Sequence, residues 1–364
     1  MLKKLDAYIS NKQVGTLAIT NSGKVAFSYT DEWIENGFSI SPLSLPLEKR
    51  VFIPNNDNFE GLFGVFGDSL PDGWGRLLLE RYIQEKKIEA NILDRLSLNS
   101  KSSKGALEYK PSKAQNNKTS VSDFDSLCEE FNKVFENKTV KDFDELFQNG
   151  GSSGGARPKA HVKIDGVDYI VKFPSSLDPK NIGIQEYEYN ACARKCGIEV
   201  SDYKLIPSKK YKGFFATKRF DRNGKRKIHT ISVAGLLETS YRTPNLDYLQ
   251  LLKLTRIITK DINEVYKMYR LMCFNVFSHN LDDHSKNFSF IYKNNKYVLS
   301  PAYDLTYNNS FNSEHATTVN NNPKPTKQDL LCVGLEVGLK KDIINNIIEE
   351  VNKQVKKDLS KYIQ

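Results

Sequence analysis

The order of strand-like and helix-like segments along the chain most constrains its fold. Short runs of alternating apolar residues, separated by turn residues, dominate the first 220 of the 364 residues. The last 120 residues carry longer helical patterns, which begin at residues 246–258 and 262–277. A β-rich part followed by a helical part predicts an α+β fold with two lobes.

The composition is that of a folded protein with a modest excess of basic residues. Hydrophobic residues make up 39% of the chain, with 20 Phe and 18 Tyr, which is enough to build buried cores. The 53 basic and 44 acidic residues give a net charge of +9, and the densest basic run covers residues 218–227. This excess is either an ordinary solvated surface or a face that binds nucleic acid, ATP or an acidic partner.

Cysteine usage and the lack of long apolar runs indicate a cytoplasmic protein. The five cysteines are odd in number and widely spread, as is typical of free thiols in a reducing compartment. The polar N-terminus does not resemble a signal peptide, and no run approaches about 18 apolar residues. We therefore expect a cytoplasmic location and no membrane partner.

Turn residues predict several local structures. An antiparallel meander is expected near the N-terminus, at residues 5–9, 14–20 and 24–29. Asp165 and Gly166 predict a hairpin within residues 160–173. The helical pattern of residues 183–196 is expected to end at Gly197. Residues 68–72 are expected to cap a helix. The Ser-, Lys- and Asn-rich residues 99–122 are expected to form an exposed linker or a mobile loop.

Ionisable residues are concentrated at residues 278–287, between an apolar helix and a strand-like run. Taken alone, this segment could be a polar loop. In kinase catalytic loops, however, an Asp is followed five positions later by an Asn, and Asp282 and Asn287 have this separation. The carboxylate orients the acceptor hydroxyl, and the neutral amide oxygen holds Mg²⁺. Asp283 does not meet the spacing, so Asp282 is the predicted catalytic base.

A second carboxylate for the metal is expected after a short hairpin. Residues 288–292 and 296–299 are strand-like runs around an Asn-Asn turn, and the chain then reaches Asp304. Asp304 is thus in the position of the kinase metal-binding aspartate. Hard oxygen ligands at Asn287 and Asp304 suit Mg²⁺ bound to phosphate oxygens.

A glycine-rich stretch, residues 150–155, precedes the predicted hairpin and is expected to cover the phosphates of ATP, although such a stretch could also be a linker. Lys172 lies among apolar residues of the second strand, where a buried lysine needs a partner. Glu186 is the predicted partner, with Glu188 as a weaker alternative, and the pair would position the phosphates. Otherwise Lys172 faces solvent on an edge strand.

Five ordered segments resemble motifs of the HipA family of bacterial toxin-antitoxin Ser/Thr kinases. They span most of the chain and comprise residues 66–75 (FGDSLPDGWG), 105–111 (GALEYKP), 152–159 (SSGGARPK), 279–288 (HNLDDHSKNF) and 301–305 (PAYDL). The resemblance implies a protein-kinase-like two-lobed α+β fold with an N-terminal β-rich subdomain and an all-α C-terminal lobe. The expected segments are an N-terminal subdomain at 1–110, a helical connector at 111–148, an ATP-binding lobe at 149–222 and a catalytic lobe at 223–364.

The resemblance further implies an ATP- and Mg²⁺-dependent Ser/Thr protein kinase. Asp282 and Lys286 are the expected catalytic residues, and Asn287 and Asp304 are the expected metal ligands. The residues expected to bind ATP are Ser153, Gly154, Gly155, Ala156, Lys159, Lys172, Glu186, His284 and Asn287.

Regulation and partners are also implied by the resemblance. A loop serine, Ser152 by position or Ser153 as the near alternative, is expected to be autophosphorylated. A phosphate there adds about −1.5 to −2 charges beside ATP, which would eject the loop and inactivate the enzyme. The expected partners are a small DNA-binding antitoxin and a protein substrate such as an aminoacyl-tRNA synthetase.

Two other functions are compatible with the same residues. In a metal-dependent phosphohydrolase, His279, Asp282, Asp283 and His284 would ligate a metal, with further ligands from elsewhere. In a pseudokinase without catalytic activity, the chain would bind DNA together with a partner. The presence of Asp282, Asn287 and Asp304 together favours an active kinase.

Overall fold

The computed structural model describes residues 1–114, 121, 123–151, 154–176, 178–308 and 311–363. The strands in this part of the chain are β1 (Lys4–Ile9), β2 (Lys12–Ile19), β3 (Val25–Tyr29), β4 (Glu108–Lys110), β5 (Lys159–Ile164), β6 (Val167–Lys172), β7 (Tyr203–Ile206), β8 (Phe214–Lys218), β9 (Arg222–Asn223), β10 (Arg226–Lys227), β11 (Thr230–Ser232), β12 (Leu246–Asp247), β13 (Ser289–Lys293), β14 (Lys296–Leu299) and β15 (Thr317–Thr318). The helices are α1 (Asp31–Asn36), α2 (Gly64–Gly67), α3 (Gly73–Glu85), α4 (Ile92–Asn99), α5 (Phe124–Phe135), α6 (Phe143–Gly150), α7 (Ile182–Lys195), α8 (Val233–Leu237), α9 (Tyr248–Thr259), α10 (Ile262–Ser278), α11 (Lys327–Glu336) and α12 (Lys341–Leu359).

The chain divides into two compact units. The first unit comprises Met1–Ile184, Tyr203–Ile231 and Gly235–Thr239. The second unit comprises Gln185–Asp202, Ser232–Ala234 and Ser240–Gln364. The four segments expected from the sequence are a finer division, and their boundaries stay a prediction.

The first unit contains a sheet with the strand order β3-β2-β1-β4, in which all neighbours are antiparallel. Ser10 and Asn11 lie at positive φ (49° and 64°) between β1 and β2, as a tight hairpin turn requires. The aromatic ring of Phe66 packs on this sheet, 5.0 Å from the ring of Phe27 between centroids. The predicted N-terminal meander is therefore confirmed.

The predicted linker at residues 99–122 is wrong for its first half. Strand β4 lies inside it and pairs with β1. The buried hydroxyl of Ser100 accepts the Tyr109 N–H at 2.7 Å and donates to the Tyr109 carbonyl at 3.0 Å. Small hydroxyl residues can satisfy the backbone in this way without being exposed. Residues 115–120 and 122 lie outside the described part of the chain.

A second sheet in the first unit has the antiparallel order β5-β6-β8-β7. Asp165 and Gly166 adopt φ values of 52° and 77° and form the predicted turn between β5 and β6. The register of this hairpin places Lys159 directly opposite Lys172. The predicted hairpin is confirmed, and it puts two lysines side by side at its open end.

Helices α3, α5 and α6 share a buried core with this second sheet. The indole ring of Trp74 lies 5.0 Å from the ring of Phe131, which in turn lies 5.5 Å from the ring of Phe173. Ring pairs at these separations contribute beyond the area that they bury. Helix α3 is thus fixed to the second sheet through these aromatic contacts.

A buried ionic cluster connects the segment before β4 to the segment after β8. Arg219 donates two hydrogen bonds to the Asp221 carboxylate, at 2.9 and 2.7 Å, and one to the Ser103 carbonyl at 3.0 Å. Asp221 also accepts the Gly105 N–H at 2.7 Å. Burial alone would raise the pKa of Asp221, but the positive charges of Arg219 and Arg222 hold it well below its usual value. These arginines of the densest basic run are therefore part of the interior, not of a binding face.

The second unit is mainly helical and is built on α10, which packs against α9 and α12. The predicted end of α7 is confirmed, because Gly197 has a φ of 74° and the Ile198 N–H bonds the Ala193 carbonyl at 3.0 Å. Strands β13 and β14 form the predicted antiparallel hairpin. Within the described residues, no helix is long and apolar enough to cross a membrane.

The pH dependence of stability is expected to reflect His229, which is buried and hydrogen-bonded through Nε2 to the Ile40 carbonyl at 2.9 Å. Burial lowers the pKa of His229 from 6.5 to about 4. Below pH 6.5 the unfolded chain therefore binds a proton that the folded chain does not. The free energy of unfolding should be undiminished above that pH and fall by up to about 3 kcal/mol as the pH decreases to about 4.

Urea unfolding of the native protein and His229→Gln at about pH 7.5 and about pH 4.5 measures this loss. Glutamine retains an N–H donor but does not titrate, so the variant should lose less stability on acidification. His161 is also buried with a pKa well below 6.5, but it is present in both proteins and cancels in the comparison. Equal losses in the two proteins would contradict the assignment.

Candidate active site

The end of α10 and the turn after it bring Asp282 and Asn287 together. His279 ends the helix in the left-handed conformation, with a φ of 54°, and its N–H bonds the Asn275 carbonyl. A single 3-10 turn over Ser285–Asn287 then leads into β13. The Asn287 side-chain amide donates to the Asp282 carbonyl oxygen at 2.6 Å. Asp282 and Asn287, which are five positions apart in the sequence, are therefore hydrogen-bonded to each other within one loop.

Asp283 fixes this loop to the interior of the second unit. Its carboxylate accepts the Tyr248 hydroxyl at 2.8 Å, the His315 Nδ1–H at 2.9 Å and the Thr317 N–H at 3.1 Å. The Thr317 hydroxyl donates to the Asp283 carbonyl at 2.5 Å. Burial, followed by the nearby Asp283 charge, raises the pKa of Tyr248 well above 10.0. Asp283 is thus a buried anchor.

Asp282 differs from its neighbour in exposure, because 54% of its side chain is accessible while the Asp283 side chain is fully covered. The His284 Nε2 atom lies 3.9 Å from Asp282 Oδ1, and His284 Nδ1 accepts the Lys286 N–H at 3.2 Å. The Lys286 ammonium lies 4.1 Å from the centroid of the Tyr241 ring, a distance typical of a cation–π contact. The predicted catalytic residues Asp282 and Lys286 therefore occupy one accessible loop.

Asp304 is connected to the same loop through its neighbour Tyr303. The Tyr303 hydroxyl donates to the Lys286 carbonyl at 2.6 Å and shares a 2.6 Å hydrogen bond with the Ser289 hydroxyl. Asp304 has a φ of 54° and is partly exposed. This tyrosine was not predicted as a site residue, because no local pattern indicates a contact across 17 positions.

The donor set fits a magnesium ion. The Asn287 amide N–H is directed to the Asp282 carbonyl, so the amide oxygen is the atom that Asn287 offers a metal. Asp304 adds a carboxylate, and both are hard oxygen ligands of the kind that Mg²⁺ prefers. Among the residues that the structure describes, no group of three or more His, Cys, Asp or Glu side chains is placed to hold a metal ion.

The glycine-rich stretch and the lysines lie in the first unit. Gly154, Gly155 and Ala156 are exposed, whereas Lys159 is buried and begins β5. The Lys172 ammonium lies 5.9 Å from the Phe215 ring centroid. Ser152 and Ser153, the predicted phosphorylation sites, lie outside the described residues.

The two acidic candidates on α7 have different environments within the second unit. Glu186 is buried, 4% exposed. Glu188 instead accepts the Tyr362 hydroxyl at 2.6 Å and pairs with the Lys361 ammonium at 2.7 Å. Both carboxylate contacts of Glu188 are therefore with residues of the C-terminal segment. The pairing of Lys172 with Glu186 stays a prediction.

The adjacent aspartates should respond differently to removal of their side chains. Asp283→Ala leaves three buried donors without their acceptor and should lower the free energy of unfolding by about 3 kcal/mol. Asp282→Ala, in the exposed neighbouring position, should change it by less than about 0.5 kcal/mol. Urea unfolding of both variants measures the difference. Similar losses in the two variants would contradict the role of Asp283 as the anchor.

Comparisons with known proteins agree over almost the whole chain. The HipA N-terminal domain matches residues 5–110, and the HipA-like C-terminal domain matches residues 151–359. Shewanella oneidensis HipA, solved with HipB and its operator DNA, has a TM-score of 0.75 at 18% identity, covering 99% of this chain and 90% of that one. The Helicobacter pylori proinflammatory kinase CtkA has a TM-score of 0.37 at 16% identity, covering 56% of this chain and 91% of that one.

No curated protein sequence matches the chain. The predicted α+β, kinase-like two-lobed fold class is confirmed by the likeness to the Shewanella structure. The expectation of an all-α C-terminal lobe is wrong, because the β13–β14 hairpin lies inside the mainly helical second unit. The two domain matches together cover most of both units. The chain therefore belongs to the HipA family.

Proposed function

We propose that this HipA-family chain is an ATP- and Mg²⁺-dependent Ser/Thr protein kinase. The observation that carries the proposal is the connection of Asp282, Asn287 and the Asp304 segment. Asn287 bonds the Asp282 backbone, and Tyr303 bonds the Lys286 backbone, both at 2.6 Å. Phosphoryl transfer depends mainly on positioning and charge stabilisation, and these two short bonds position the groups that it requires.

Asp282 is the group that orients the acceptor hydroxyl and accepts its proton. Its exposed carboxylate is held on a loop that the buried Asp283 fixes in place, so little conformational freedom is lost when a substrate binds. His284 supports the loop by accepting the Lys286 N–H. The Lys286 ammonium then provides a positive charge for the transferred phosphoryl group.

Asn287 and Asp304 hold the metal in this proposal. When bound, Mg²⁺ would neutralise charge on the phosphate oxygens of ATP. A neutral amide beside one carboxylate limits the negative charge at the site, which favours the approach of a polyphosphate.

Within the first unit, a pair of lysines supports the binding of nucleotide phosphates. Lys159 and Lys172 are direct cross-strand neighbours, and like charges in such a position repel each other. Two neighbouring ammonium groups suit an anionic ligand, and a Cβ atom on the exposed Gly155 would lie 2.7 Å from the Lys159 ammonium, so the pair supports a phosphate site at this loop. The backbone N–H groups of such a loop are suited to bind phosphate.

The biological role is proposed from the family. We propose that the chain is the toxin of a toxin-antitoxin module, with a small DNA-binding antitoxin as its partner. The likeness to Shewanella HipA, which was solved with HipB and operator DNA, supports this partner. The proposed substrate is a translation component such as an aminoacyl-tRNA synthetase, and Ser152 or Ser153 is the proposed autophosphorylation site.

Autophosphorylation should depend on Asp282. After incubation with Mg-ATP, intact-mass spectrometry should show added phosphate on the native protein, mapping to Ser152 or Ser153. Asp282→Asn removes the proton acceptor while retaining the side-chain shape, and should slow phosphate incorporation by about 10²- to 10⁴-fold.

Asp342→Asn is a matched control, because Asp342 is exposed in the same unit at the start of α12. It should incorporate phosphate at the native rate. Protein that already carries phosphate before incubation would be identified by its starting mass and treated with a phosphatase first. Full incorporation by Asp282→Asn would exclude Asp282 as the base, and phosphate-free native protein that binds ATP without transfer would favour the pseudokinase alternative.

The magnesium requirement should depend on Asn287. Asn287→Ala removes one proposed oxygen ligand, so the Mg²⁺ concentration for half-maximal phosphate transfer should rise by at least about tenfold. Asn345→Ala, at an exposed position of α12, serves as the control and should leave it unchanged. An unaltered Mg²⁺ requirement in Asn287→Ala would contradict the assignment of Asn287 as a metal ligand.

A further inference from the structure

The glycine-rich stretch is docked on the beginning of α3 by a pair of hydrogen bonds. The Trp74 N–H, in the first turn of α3, donates to the Gly155 carbonyl at 2.8 Å. The Gly155 N–H in turn donates to the Asp72 carboxylate. Both polar groups of the Gly155 backbone are therefore engaged by one short segment, Asp72–Gly73–Trp74, which we term the loop dock.

The dock accepts only glycine at its closest points. Gly73 has a φ of +46°, and a Cβ atom there would lie 2.3 Å from the Gly155 carbonyl oxygen. A Cβ atom on Gly154 would lie 2.9 Å from Asp72 Oδ1, and Gly155 has a φ of +79°. Side chains at these positions would push the two segments apart. The glycines thus allow close approach of the loop to the dock.

Asp72 does not perform the ordinary task of a residue at the start of a helix. It is the N-cap residue of α3, yet its side chain makes no capping hydrogen bond to the helix. By contrast, Asp123 and Asp142 occupy the same position in α5 and α6, and their carboxylates accept helix N–H groups. The expectation that residues 68–72 cap the helix is therefore wrong for the Asp72 side chain, which binds the loop instead.

We propose that Asp72 is a positioning residue of the nucleotide site, which holds the glycine-rich loop in the conformation that binds ATP. This inference rests on the proposed function, because it assigns the loop to the ATP phosphates. Asp72 acts through Gly155 and does not touch the nucleotide. Since Trp74 belongs to the buried core of the first unit, the dock transmits the rigidity of α3 to an otherwise exposed loop.

The docking itself can be tested without ATP. Hydrogen–deuterium exchange of the full-length, nucleotide-free protein should show a protected Gly155 amide. Asp72→Ala should accelerate its exchange by about tenfold or more, whereas Asp72→Asn, which keeps a side-chain oxygen acceptor, should retain most of the protection. Asp123→Ala, which removes a capping carboxylate far from the loop in sequence, should leave Gly155 exchange unchanged.

The consequence for the nucleotide is tested by kinetics and titration calorimetry. Asp72→Ala should raise the KM and the dissociation constant for ATP by about tenfold, a larger change than any decrease in kcat. Asp72→Asn should recover most of the affinity, and Asp123→Ala should match the native protein. A second variant, Gly73→Ala, should weaken ATP binding similarly, with Gly23→Ala as the control, because Gly23 has a similar positive φ (+83°) but no atom within 4 Å of an added Cβ.

The outcomes separate this inference from the proposed function. If the native protein transfers no phosphate, the kinase proposal fails, while Gly155 exchange and ATP binding still decide the role of Asp72. Unchanged exchange and unchanged ATP affinity in Asp72→Ala would overturn the inference. Tighter ATP binding by Asp72→Ala would also overturn it, because Asp72 would then compete with phosphate for the Gly155 N–H. If Asp72→Ala does not fold, Asp72→Asn and Gly73→Ala decide the same question.

Discussion

The buried carboxylate of Asp283 is the interaction on which the catalytic loop depends. It joins the loop to two other segments of the second unit that are more than 30 positions away in sequence. Tyr248 belongs to one of these segments, and His315 and Thr317 belong to the other. A buried carboxylate is costly unless its oxygens are satisfied, so these donors and the carboxylate constrain one another. The hydrogen bonds of Asp283 therefore hold this loop against the interior of the second unit. The adjacent Asp282 can be exposed and chemically available because its neighbour carries the structural task.

The first unit has a similar arrangement around Asp221. Two arginines and the Gly105 N–H satisfy its carboxylate, and the same arginines bond backbone carbonyls of the polar segment before β4. This explains why that segment was wrongly predicted as an exposed linker. Its Ser and Lys composition is typical of loops, but its backbone carbonyls accept hydrogen bonds from arginines more than 110 positions away. Composition does not contain that information.

The predictable parts of the fold are those decided by near neighbours in sequence. The Asp165–Gly166 turn, the end of α7 at Gly197 and the β13–β14 hairpin follow from backbone preferences of turn residues, and all were confirmed. The spacing of Asp282 and Asn287 also predicted that the two residues share a loop, which the 2.6 Å hydrogen bond confirms. Contacts such as that of Tyr303 with the Lys286 carbonyl depend on tertiary packing, and a single sequence does not reveal them.

The environments of Asp282 and Asp283 also distinguish a kinase from a metal-dependent phosphohydrolase. The hydrolase alternative needs His279, Asp282, Asp283 and His284 as metal ligands. Asp283 already accepts hydrogen bonds from a tyrosine, a histidine and a backbone N–H, and a metal would have to displace them in a site without solvent. The kinase alternative uses Asp282, Asn287 and Asp304, which are exposed or partly exposed, and it leaves the buried hydrogen bonds of Asp283 in place.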